Sequence, residues 1–449
     1  MRRILSAKEY LKLLQGLFAD ELSEASAAVV SAAKDLMTRH GLDKAIFLCG
    51  RPLEKLGVHA AKLLGMPIVI IEEDDLPELK ETLICDLLFA AEGDDRQQKW
   101  IEALIEANGP VLSVGIPAGV DPDTGRAGDP ALRSEITVAP FAYMRGLFLH
   151  DGLDHCGSIC PVSGRSEAIA GLYRFEDEDA RRLLPPRKRT AHKGDSGKAL
   201  LCVGSPRYVG AALLSARACL AAGCGILFVA CPDPVRAALT RLPEAIGIPV
   251  GPDWSEESCA AAMRAMEGMK AVGLGSGVGD GDVSALIEAA LRSKLPLVLD
   301  ADGLNCLSRH PELYGLLHDK VILTPHPGEM GRLTGMPADG VQEDPVALAA
   351  EYARRWGCTV LLKGAATAVS DGKRTCIVAE GNCGLGKGGS GDVLTGIITG
   401  LLAQGVEPYT AACLGSYLLG TSAEKAFELL RERMLRATNV IEALEELNE

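Results

Sequence analysis

The sequence predicts an α/β protein of two domains, each built around a mostly parallel sheet. Short apolar runs alternate with helix-like segments in both halves of the chain, which is typical of βαβ units. A charged, proline-containing joint at residues 174–189 separates the halves. The length of 449 residues allows two to three domains, and 47% hydrophobic with 24% charged residues is a globular composition. We expect domains at residues 1–168 and 169–449.

The first half begins with a helical pattern over residues 7–37. Four short apolar runs follow, with helix-like segments between them, at residues 45–49, 67–71, 83–89 and 111–114. This alternation predicts a parallel sheet.

The second half repeats the alternation over a longer stretch. Its strand candidates are residues 199–203, 226–230, 271–274, 297–300, 321–324 and 360–363. Helical segments such as residues 210–222 and 283–292 separate several of them. A parallel sheet covered by helices binds ligands beyond the carboxyl ends of its strands, and the motifs described below lie at those ends.

Charge and composition argue against several classes of protein. A net charge of -14 disfavours a broad basic surface for nucleic acid. The basic cluster at residues 187–189, with His192 and Lys193, is more typical of a solvated joint than of a ligand clamp. No apolar run reaches the ~20 residues of a membrane span, and the first residues do not resemble a signal peptide. We therefore expect a cytoplasmic protein without a membrane partner.

The 14 cysteines are scattered through apolar runs. Cys156 with Cys160, and Cys219 with Cys224, lack a matching second pair for a zinc site. We expect buried free thiols in a reducing compartment.

A dense glycine run gives the strongest signal of chemistry. The segment Gly388-Gly389-Ser390-Gly391-Asp392 precedes an apolar stretch at residues 393–403 that predicts a buried helix. Free N–H groups at a helix N-terminus favour phosphate, and glycines allow close approach of a ligand. Asp392 is then either a capping group or a general base that takes a proton from a substrate hydroxyl. The segment is not a Walker A loop, because the Gly-Lys-[Ser/Thr] ending is absent.

Three further motifs follow strand candidates, and each has a structural alternative. His326 and Glu329 could bind substrate or hold Mg²⁺ through water, or could be bonded only within their loop. Lys363 could place a charge on a phosphate, or lie on the surface of a hairpin. Asp300 and Asp302 could place a metal or substrate, or cap the next helix.

Together and in this order, the motifs resemble the ADP/ATP-dependent NAD(P)H-hydrate dehydratases of the ribokinase-like superfamily. The resemblance runs from about residue 172 to the C-terminus. It rests on His192-Lys193-Gly194-Asp195, Gly210-Ala211-Ala212, Leu299-Asp300-Ala301-Asp302, Thr324-Pro325-His326-Pro327-Gly328-Glu329, Lys363-Gly364-Ala365-Ala366-Thr367 and residues 388–392. It implies a ribokinase-like α/β domain that repairs hydrated NADH or NADPH with ADP or ATP and Mg²⁺. The two-domain layout implies ADP, and the resemblance implies the S form of the hydrate.

The resemblance also implies roles for particular residues. Asp392 would deprotonate the C6 hydroxyl, which is phosphorylated and then leaves as phosphate. The N–H groups of Gly389, Ser390 and Gly391 would hold the transferring phosphoryl group. Residues implied to contact the nucleotide are Lys363, Gly364, Ala365, Ala366, Thr367 and Gly391. Ala212, Gly277 and His326 would line the hydrated-cofactor pocket with Asp392. Leu274 replaces a proline common in that family's loop.

The first half resembles the Rossmann-like NAD(P)H-hydrate epimerases in outline but not in chemistry. The family's Asn-Asn-Gly-Gly-Asp-Gly loop is replaced by Arg51-Pro52-Leu53-Glu54-Lys55-Leu56. Gly115 stands where the family carries an aspartate, and Ala118 where it carries a serine. Glycine supplies no base, and Asp86 has lost its companions. We expect an epimerase-like domain without epimerase activity, serving as a scaffold or as an oligomerisation surface in a homo-oligomer.

Two other functions fit the same residues. A small-molecule kinase of this fold, acting on a thiazole or pyrimidine alcohol, would use Asp392 and the same glycines. A non-enzymatic nucleotide-binding scaffold is the second alternative, although the intact segment at residues 388–392 argues against it.

Overall fold

The chain forms two compact units, Arg2–Tyr173 and Arg174–Glu449. The computed structural model describes residues 2–16, 18–70, 79–89, 95–162, 171–186, 189–190, 192–430 and 432–447. The predicted domain boundary at residues 168/169 lies outside these described residues, and so do residues 187 and 188 of the basic cluster.

The first unit is an α/β unit with a parallel sheet in the order β3-β2-β4-β5-β6-β8. A separate parallel pair joins β1 to β7. The strands are β1 (Arg2–Leu5), β2 (Ala45–Cys49), β3 (Ile68–Ile70), β4 (Leu83–Leu87), β5 (Val111–Val114), β6 (Ile136–Ala139), β7 (Tyr143–Met144) and β8 (Ser158–Pro161). The helices are α1 (Ala7–Gln15), α2 (Ala19–His40), α3 (Glu54–Leu64), α4 (Asp95–Ala107) and α5 (Gly152–Cys156).

The predicted strands of this unit are found, with two corrections at their ends. Residues 45–49 and 111–114 match β2 and β5, whereas the run at 83–89 leaves the sheet after Leu87. The run at 67–71 becomes β3, and residue 71 lies outside the described residues. The helical pattern at residues 7–37 is two helices, because α1 ends at Gly16 and α2 begins after Phe18.

The second unit has one larger sheet in the order β12-β11-β10-β13-β14-β15-β16-β17-β18. It is parallel from β12 to β16 and antiparallel through β17 and β18. A short strand β9 (Leu172–Arg174) precedes it, and the sheet strands are β10 (Lys198–Cys202), β11 (Ile226–Cys231), β12 (Ala245–Pro249), β13 (Ala271–Leu274), β14 (Leu297–Leu299), β15 (Val321–Leu323), β16 (Thr359–Leu362), β17 (Thr367–Ser370) and β18 (Thr375–Val378).

Twelve α-helices lie in the described residues of this unit. They are α6 (Asp177–Leu183), α7 (Val209–Ala221), α8 (Asp233–Ala238), α9 (Glu256–Ala265), α10 (Ser284–Ser293), α11 (Ala301–Arg309), α12 (Pro327–Thr334), α13 (Ala338–Glu343), α14 (Pro345–Trp356), α15 (Ser390–Ala403), α16 (Pro408–Leu429) and α17 (Ala437–Glu445). The buried helix predicted at residues 393–403 is confirmed, since every residue of α15 from Val393 to Ala403 is buried. Among the described residues, no helix is both long and apolar enough to cross a membrane.

The predicted strands of the second unit are confirmed to within a residue at each end. The differences at the ends decide whether the polar residues lie in a strand or beyond it. Asp300, Thr324 and Lys363 were predicted as last strand residues, but each lies just beyond its strand. Leu274, Leu299 and Leu323 are paired in register along β13, β14 and β15. The residues that follow these strands therefore meet at one edge of the sheet.

The cysteines match the prediction of free thiols. All are free, and all except Cys160 and Cys383 are buried.

A candidate active site at the carboxyl edge of the parallel sheet

Polar side chains follow four neighbouring strands of the second unit. Ser276 comes after β13, Asp300 after β14, Thr324 after β15 and Lys363 after β16. The N-terminus of α15, with Asp392 in its first turn, faces the same edge: a Cβ built on Gly391 would lie 3.5 Å from Asp300 Oδ2 and 3.6 Å from Lys363 Nζ. The predicted acid and the predicted lysine are thus brought together.

Asp300 is the centre of this group, and its side chain is 2% exposed. Its Oδ1 accepts hydrogen bonds from Thr324 Oγ1 at 2.8 Å and from Lys363 Nζ at 2.9 Å. Its Oδ2 accepts from Ser276 Oγ at 3.3 Å. Asp300 stands at the N-cap position of α11 but makes no side-chain capping bond. The carboxylate therefore organises the strand ends and does not cap the helix.

Lys363 lies in a hairpin, and its side chain also reaches the charged groups at the sheet edge. β16 and β17 do form a hairpin with exposed residues Gly364 and Ala365 at its turn. The lysine side chain, however, is only 22% exposed and pairs with Asp300, with Glu329 Oε2 at 3.6 Å. Burial alone would lower the pKa of Lys363, but the two carboxylates outweigh it and hold the pKa above its usual value. The ammonium group stays charged at this edge.

Asp392 has the environment of a carboxyl group poised to exchange a proton. Burial raises its pKa to about 7, the negative charge of Asp300 adds to the rise, and Lys363 opposes it. The N-cap of α15 is Gly389, which makes no side-chain capping bond and has a φ of 105°. A base of this pKa is half ionised near neutral pH, which suits proton transfer.

The N-terminus of α15 has room for an anion. α15 is 14 residues long, so its dipole and its first N–H groups favour negative charge at Ser390 and Gly391. A Cβ built on Gly388 would meet nothing within 4 Å, which indicates open space beside the segment. Lys387 does not point a charge there, because its Nζ donates to the carbonyls of Arg433 and Leu435.

His326 and Glu329 form the capping box of α12. His326 Nδ1 accepts from the N–H of Gly328 at 3.0 Å, and Glu329 Oε2 accepts from the N–H of His326 at 2.8 Å. Desolvation lowers the pKa of His326, against the raising effect of the Glu329 charge. The histidine side chain is still 51% exposed. The hydrogen bonds within the loop, which were one of the alternatives for His326 and Glu329, are present. Ligand contact by His326 stays a prediction.

The two remaining residues predicted to line the cofactor pocket differ in accessibility. Gly277 is half-buried, and a Cβ on it would lie 2.6 Å from Ala211 Cβ and 2.9 Å from Tyr208 Cβ. Ala212 is fully buried in the hydrophobic core. Its methyl group would lie 2.9 Å from a Cβ on Gly204, so it packs beneath the turn after β10. Ala211, one residue earlier, is the neighbour that meets the Gly277 loop.

The sequence analysis gave no role to Ser276 or to Thr324, although Thr324 begins one of the quoted motifs. Both are fully buried and both donate to Asp300. Their positions could have identified them. Ser276 and Thr324 lie within two residues of the ends of β13 and β15, the two strands that flank β14, and Asp300 directly follows β14.

At the corresponding edge of the first unit, the described residues enclose the candidate acid Asp86. Asp86 is fully buried on β4, and its oxygens accept from the N–H of Leu88, the hydroxyl of Ser113 and the N–H of Ala118. Burial raises the pKa of Asp86 despite these donors. A Cβ on Gly115 would lie 2.5 Å from Met144 Cε. After β2 the chain turns at once into a 3-10 helix, Arg51–Leu53, and then α3.

Comparisons with known proteins agree with the residues of the second unit. The model of the NAD(P)H-hydrate dehydratase family matches residues 199–446. A bifunctional NAD(P)H-hydrate repair enzyme of Moorella thermoacetica is 31% identical over 444 residues, covering 92% of this chain and 83% of that protein. Its counterpart in Vibrio cholerae is 32% identical over 431 residues, covering 92% and 85%.

Two solved structures share the fold of the second unit. An ADP/ATP-dependent NAD(P)H-hydrate dehydratase from Bacillus subtilis, co-crystallized with ATP/Mg²⁺, is 31% identical and covers 61% of this chain and 96% of its own, with a TM-score of 0.54. A ribokinase-like superfamily protein from Enterococcus faecalis, 23% identical, covers 63% and 97% with a TM-score of 0.55, which supports the fold alone.

Proposed function

The chain belongs to the bifunctional NAD(P)H-hydrate repair enzyme family, and we propose that its Arg174–Glu449 unit dehydrates the S form of hydrated NADH or NADPH. The unit is a lyase that restores NAD(P)H while ADP is converted to AMP and phosphate. The observation that carries the proposal is the convergence of Asp392, Asp300 and Lys363 beside the N-terminus of α15.

The chemistry begins with a poor leaving group. Hydroxide leaves slowly from C6 of the hydrated ring, whereas a phosphate ester leaves readily. Asp392 takes the proton of the C6 hydroxyl, and the oxygen attacks the β-phosphorus of ADP while AMP departs. The lone pair of the ring nitrogen then expels phosphate, and loss of a proton from C5 restores the C5=C6 double bond. A pKa of about 7 lets Asp392 be ionised at neutral pH and still hold the proton it receives.

The negative charge of the transferring group needs fixed donors. The N–H groups of Gly389, Ser390 and Gly391 supply them at the start of α15, and the dipole of the helix adds to them. Lys363 supplies a positive charge at the end of β16, from the turn that continues through residues 364–367. Asp300 positions that charge, because it holds Lys363 Nζ at 2.9 Å.

The oxygen-rich edge also fits Mg²⁺. Asp302, Glu329 and Asp392 offer carboxylates, the hard donors that this ion prefers, and the charge of Asp302 acts on Asp392. Glu329 is 4% exposed and already accepts from the N–H of His326, so its contribution would pass through water. When bound, Mg²⁺ neutralises phosphate charge. By the family resemblance, His326 and Gly277 would contact the nicotinamide ring, and Ala212 would act through packing.

The Arg2–Tyr173 unit is an epimerase-like module without epimerase activity. Its candidate acid, Asp86, is fully buried with acceptor bonds already made on both oxygens. The position after β5 holds Gly115, which carries no proton-transferring group, and the adjoining space contains Met144. A scaffold or oligomerisation role fits this unit.

One assay separates the candidate functions. The full-length chain is mixed with hydrated NADH, Mg²⁺ and either ADP or ATP, and the absorbance of restored NADH is followed. We expect recovery of NADH with ADP and release of AMP and phosphate. A stable phosphorylated product without NADH would favour the kinase alternative, and no turnover with either nucleotide would favour the scaffold.

A second assay addresses the first unit. Pure R hydrate is incubated with the full-length chain without nucleotide, and conversion to the S form is followed by chromatography. We expect no rate above that of buffer. Interconversion at an enzymatic rate would contradict the proposed inactivity.

A further inference from the structure

Three potential metal ligands lie together in the second unit, apart from the residues assigned to catalysis. They are Asp282, just before α10, Cys306 on α11, and His310, which directly follows α11. Their ligand atoms all lie within 4.8 Å of one another. Cys306 and His310 are four residues apart, the spacing that brings two side chains to one face of a helical turn.

The distances between these atoms suit one tetrahedral ion. Cys306 Sγ is 3.6 Å from Asp282 Oδ1, and His310 Nε2 is 3.7 Å from the same oxygen. A zinc ion with sulfur at about 2.3 Å and nitrogen or oxygen at about 2.0–2.2 Å separates its ligand atoms by about 3.3–3.6 Å. Only small side-chain shifts are needed to bring all three onto one ion.

The histidine is already oriented for this role. Its Nδ1 lies 3.0 Å from Glu312 Oε1, so the ring can donate Nδ1–H to that carboxylate and present Nε2 to the cluster. A carboxylate behind the far nitrogen of a histidine is the usual support of a metal-bound imidazole. The side chain of Asp282 is 66% exposed and that of His310 is 29% exposed, which leaves a route for an ion and for a water ligand.

We propose that Asp282, Cys306 and His310 bind one thiophilic divalent cation of the Zn²⁺ class. Binding replaces the Cys306 S–H bond to Asp282 Oδ1 with coordination by the thiolate, and the proton is released to solvent. The donor set of one sulfur, one nitrogen and one oxygen favours Zn²⁺ over Mg²⁺, which prefers oxygen alone.

The site is linked to the catalytic edge through α11. That helix follows Asp300 directly and carries Asp302 in its first turn, and Asp302 Oδ2 accepts from the N–H of Gly279 at 2.7 Å. A metal ion at the other end of α11 would fix the same loop a second time, at Asp282. The bound ion therefore stabilises the loop that contains Gly277.

The test uses Co²⁺ as a spectroscopic probe and Zn²⁺ as its competitor, on the full-length chain freed of metal. We expect one equivalent of Co²⁺ to give a thiolate-to-cobalt charge-transfer band that one equivalent of Zn²⁺ abolishes. Cys306→Ser should lose the band, and Glu312→Gln should weaken binding by about tenfold. Cys160→Ser, a change at an exposed cysteine of the first unit, should keep the band.

Folding and catalysis are separated by further variants. His310→Gln changes a partly exposed side chain, so it should fold like the wild type by circular dichroism and still lose most of the affinity for Zn²⁺. Asp392→Asn should bind Zn²⁺ as the wild type does, whether or not the dehydratase proposal holds. Absence of the band in the wild type, or an unchanged band in Cys306→Ser, would overturn the proposal.

Discussion

The two units differ in the surroundings of the acidic residues at the carboxyl ends of their parallel strands. In the Arg174–Glu449 unit, four strand ends bring Ser276, Asp300, Thr324 and Lys363 beside the open N-terminus of a buried helix. In the described part of the Arg2–Tyr173 unit, the acid on the central strand β4, Asp86, is fully buried and bonded on both oxygens. The same architecture thus carries a partly exposed acid beside other charged groups in one unit and an enclosed acid in the other.

The difference shows that a carboxylate near a strand end is not by itself evidence of catalysis. Asp392 and Asp86 both have a pKa raised by burial. Asp392, however, is half-buried beside a second acid and a lysine, whereas Asp86 is fixed by neutral N–H and O–H donors. The carboxyl groups of Asp392 and Asp86 therefore differ in solvent access and in the charge of their neighbours.

The largest effect is expected for Asp392→Asn, since the amide cannot accept the hydroxyl proton. We expect the rate of NADH recovery to fall about 10²- to 10⁴-fold, with the affinity for nucleotide kept within a few-fold. Turnover is measured by absorbance and nucleotide binding by calorimetry. Asp339→Asn, an exposed acid in the first turn of α13, serves as the matched control. Full activity of Asp392→Asn would remove its assignment as the base.

The ion pair at the catalytic edge is the next target. Lys363→Met leaves Asp300 buried without its cation, and we expect a loss of about 3 kcal/mol in the free energy of unfolding, measured in urea. The double variant Asp300→Asn/Lys363→Met should lose less than the sum of the single variants, because neither charge is then left alone. Additive losses would show that Lys363 and Asp300 are not coupled.

A smaller effect on the free energy of unfolding is expected for a substitution at Gly115 in the first unit. Gly115 has a φ of 86°, and a Cβ there would lie 2.5 Å from Met144 Cε. Gly115→Ala should cost about 2 kcal/mol of unfolding free energy, about half from backbone strain and the rest from repacking of the buried methionine. Gly41→Ala isolates the strain, since Gly41 has a φ of 64° and nothing within 4 Å. Equal losses in the two variants would contradict the close packing at Gly115.

The sequence predicted strands β13 to β16 and helix α15 because short-range features specify them. These features are the spacing of apolar residues and the glycines and prolines that end each segment. It did not resolve whether Asp300 caps a helix or serves a site, since that depends on Thr324 and Lys363 from two other strands. Ala212 was expected to line a pocket but is fully buried, because a motif does not show which side of a helix faces the core.

Besides the short strand β9, three strands in the described part of the second unit were not predicted. β12 carries Gly247 and ends at Pro249 at one end of the sheet order, and none of its residues is buried, so it lacks a continuous apolar run. β17 and β18 are four residues each and form hairpins. The cluster of Asp282, Cys306 and His310 was missed for a related reason. Its members are spread over residues 282–310 and match no regular ligand spacing.

The smallest effect concerns pH, and it has opposite signs for stability and for activity. The pKa of Asp392 is about 7 against an ordinary value of 3.8. Between about pH 4 and pH 7 the folded chain keeps a proton that the unfolded chain has released, so stability falls as the pH rises through this window and levels off above it. Activity rises with pH through about 7, because the base must be ionised to accept the hydroxyl proton.

Asp392→Asn therefore isolates the stability effect. A shift of three pKa units corresponds to about 4 kcal/mol, but solvent screening at a half-exposed edge reduces this to about 1 kcal/mol. We expect the variant to match the wild type in urea unfolding near pH 4 and to exceed it by that amount at pH 8. A difference that does not change with pH would mean that Asp392 titrates near its ordinary value. The charged edge of the second unit would then carry no stability cost from the ionisation of Asp392.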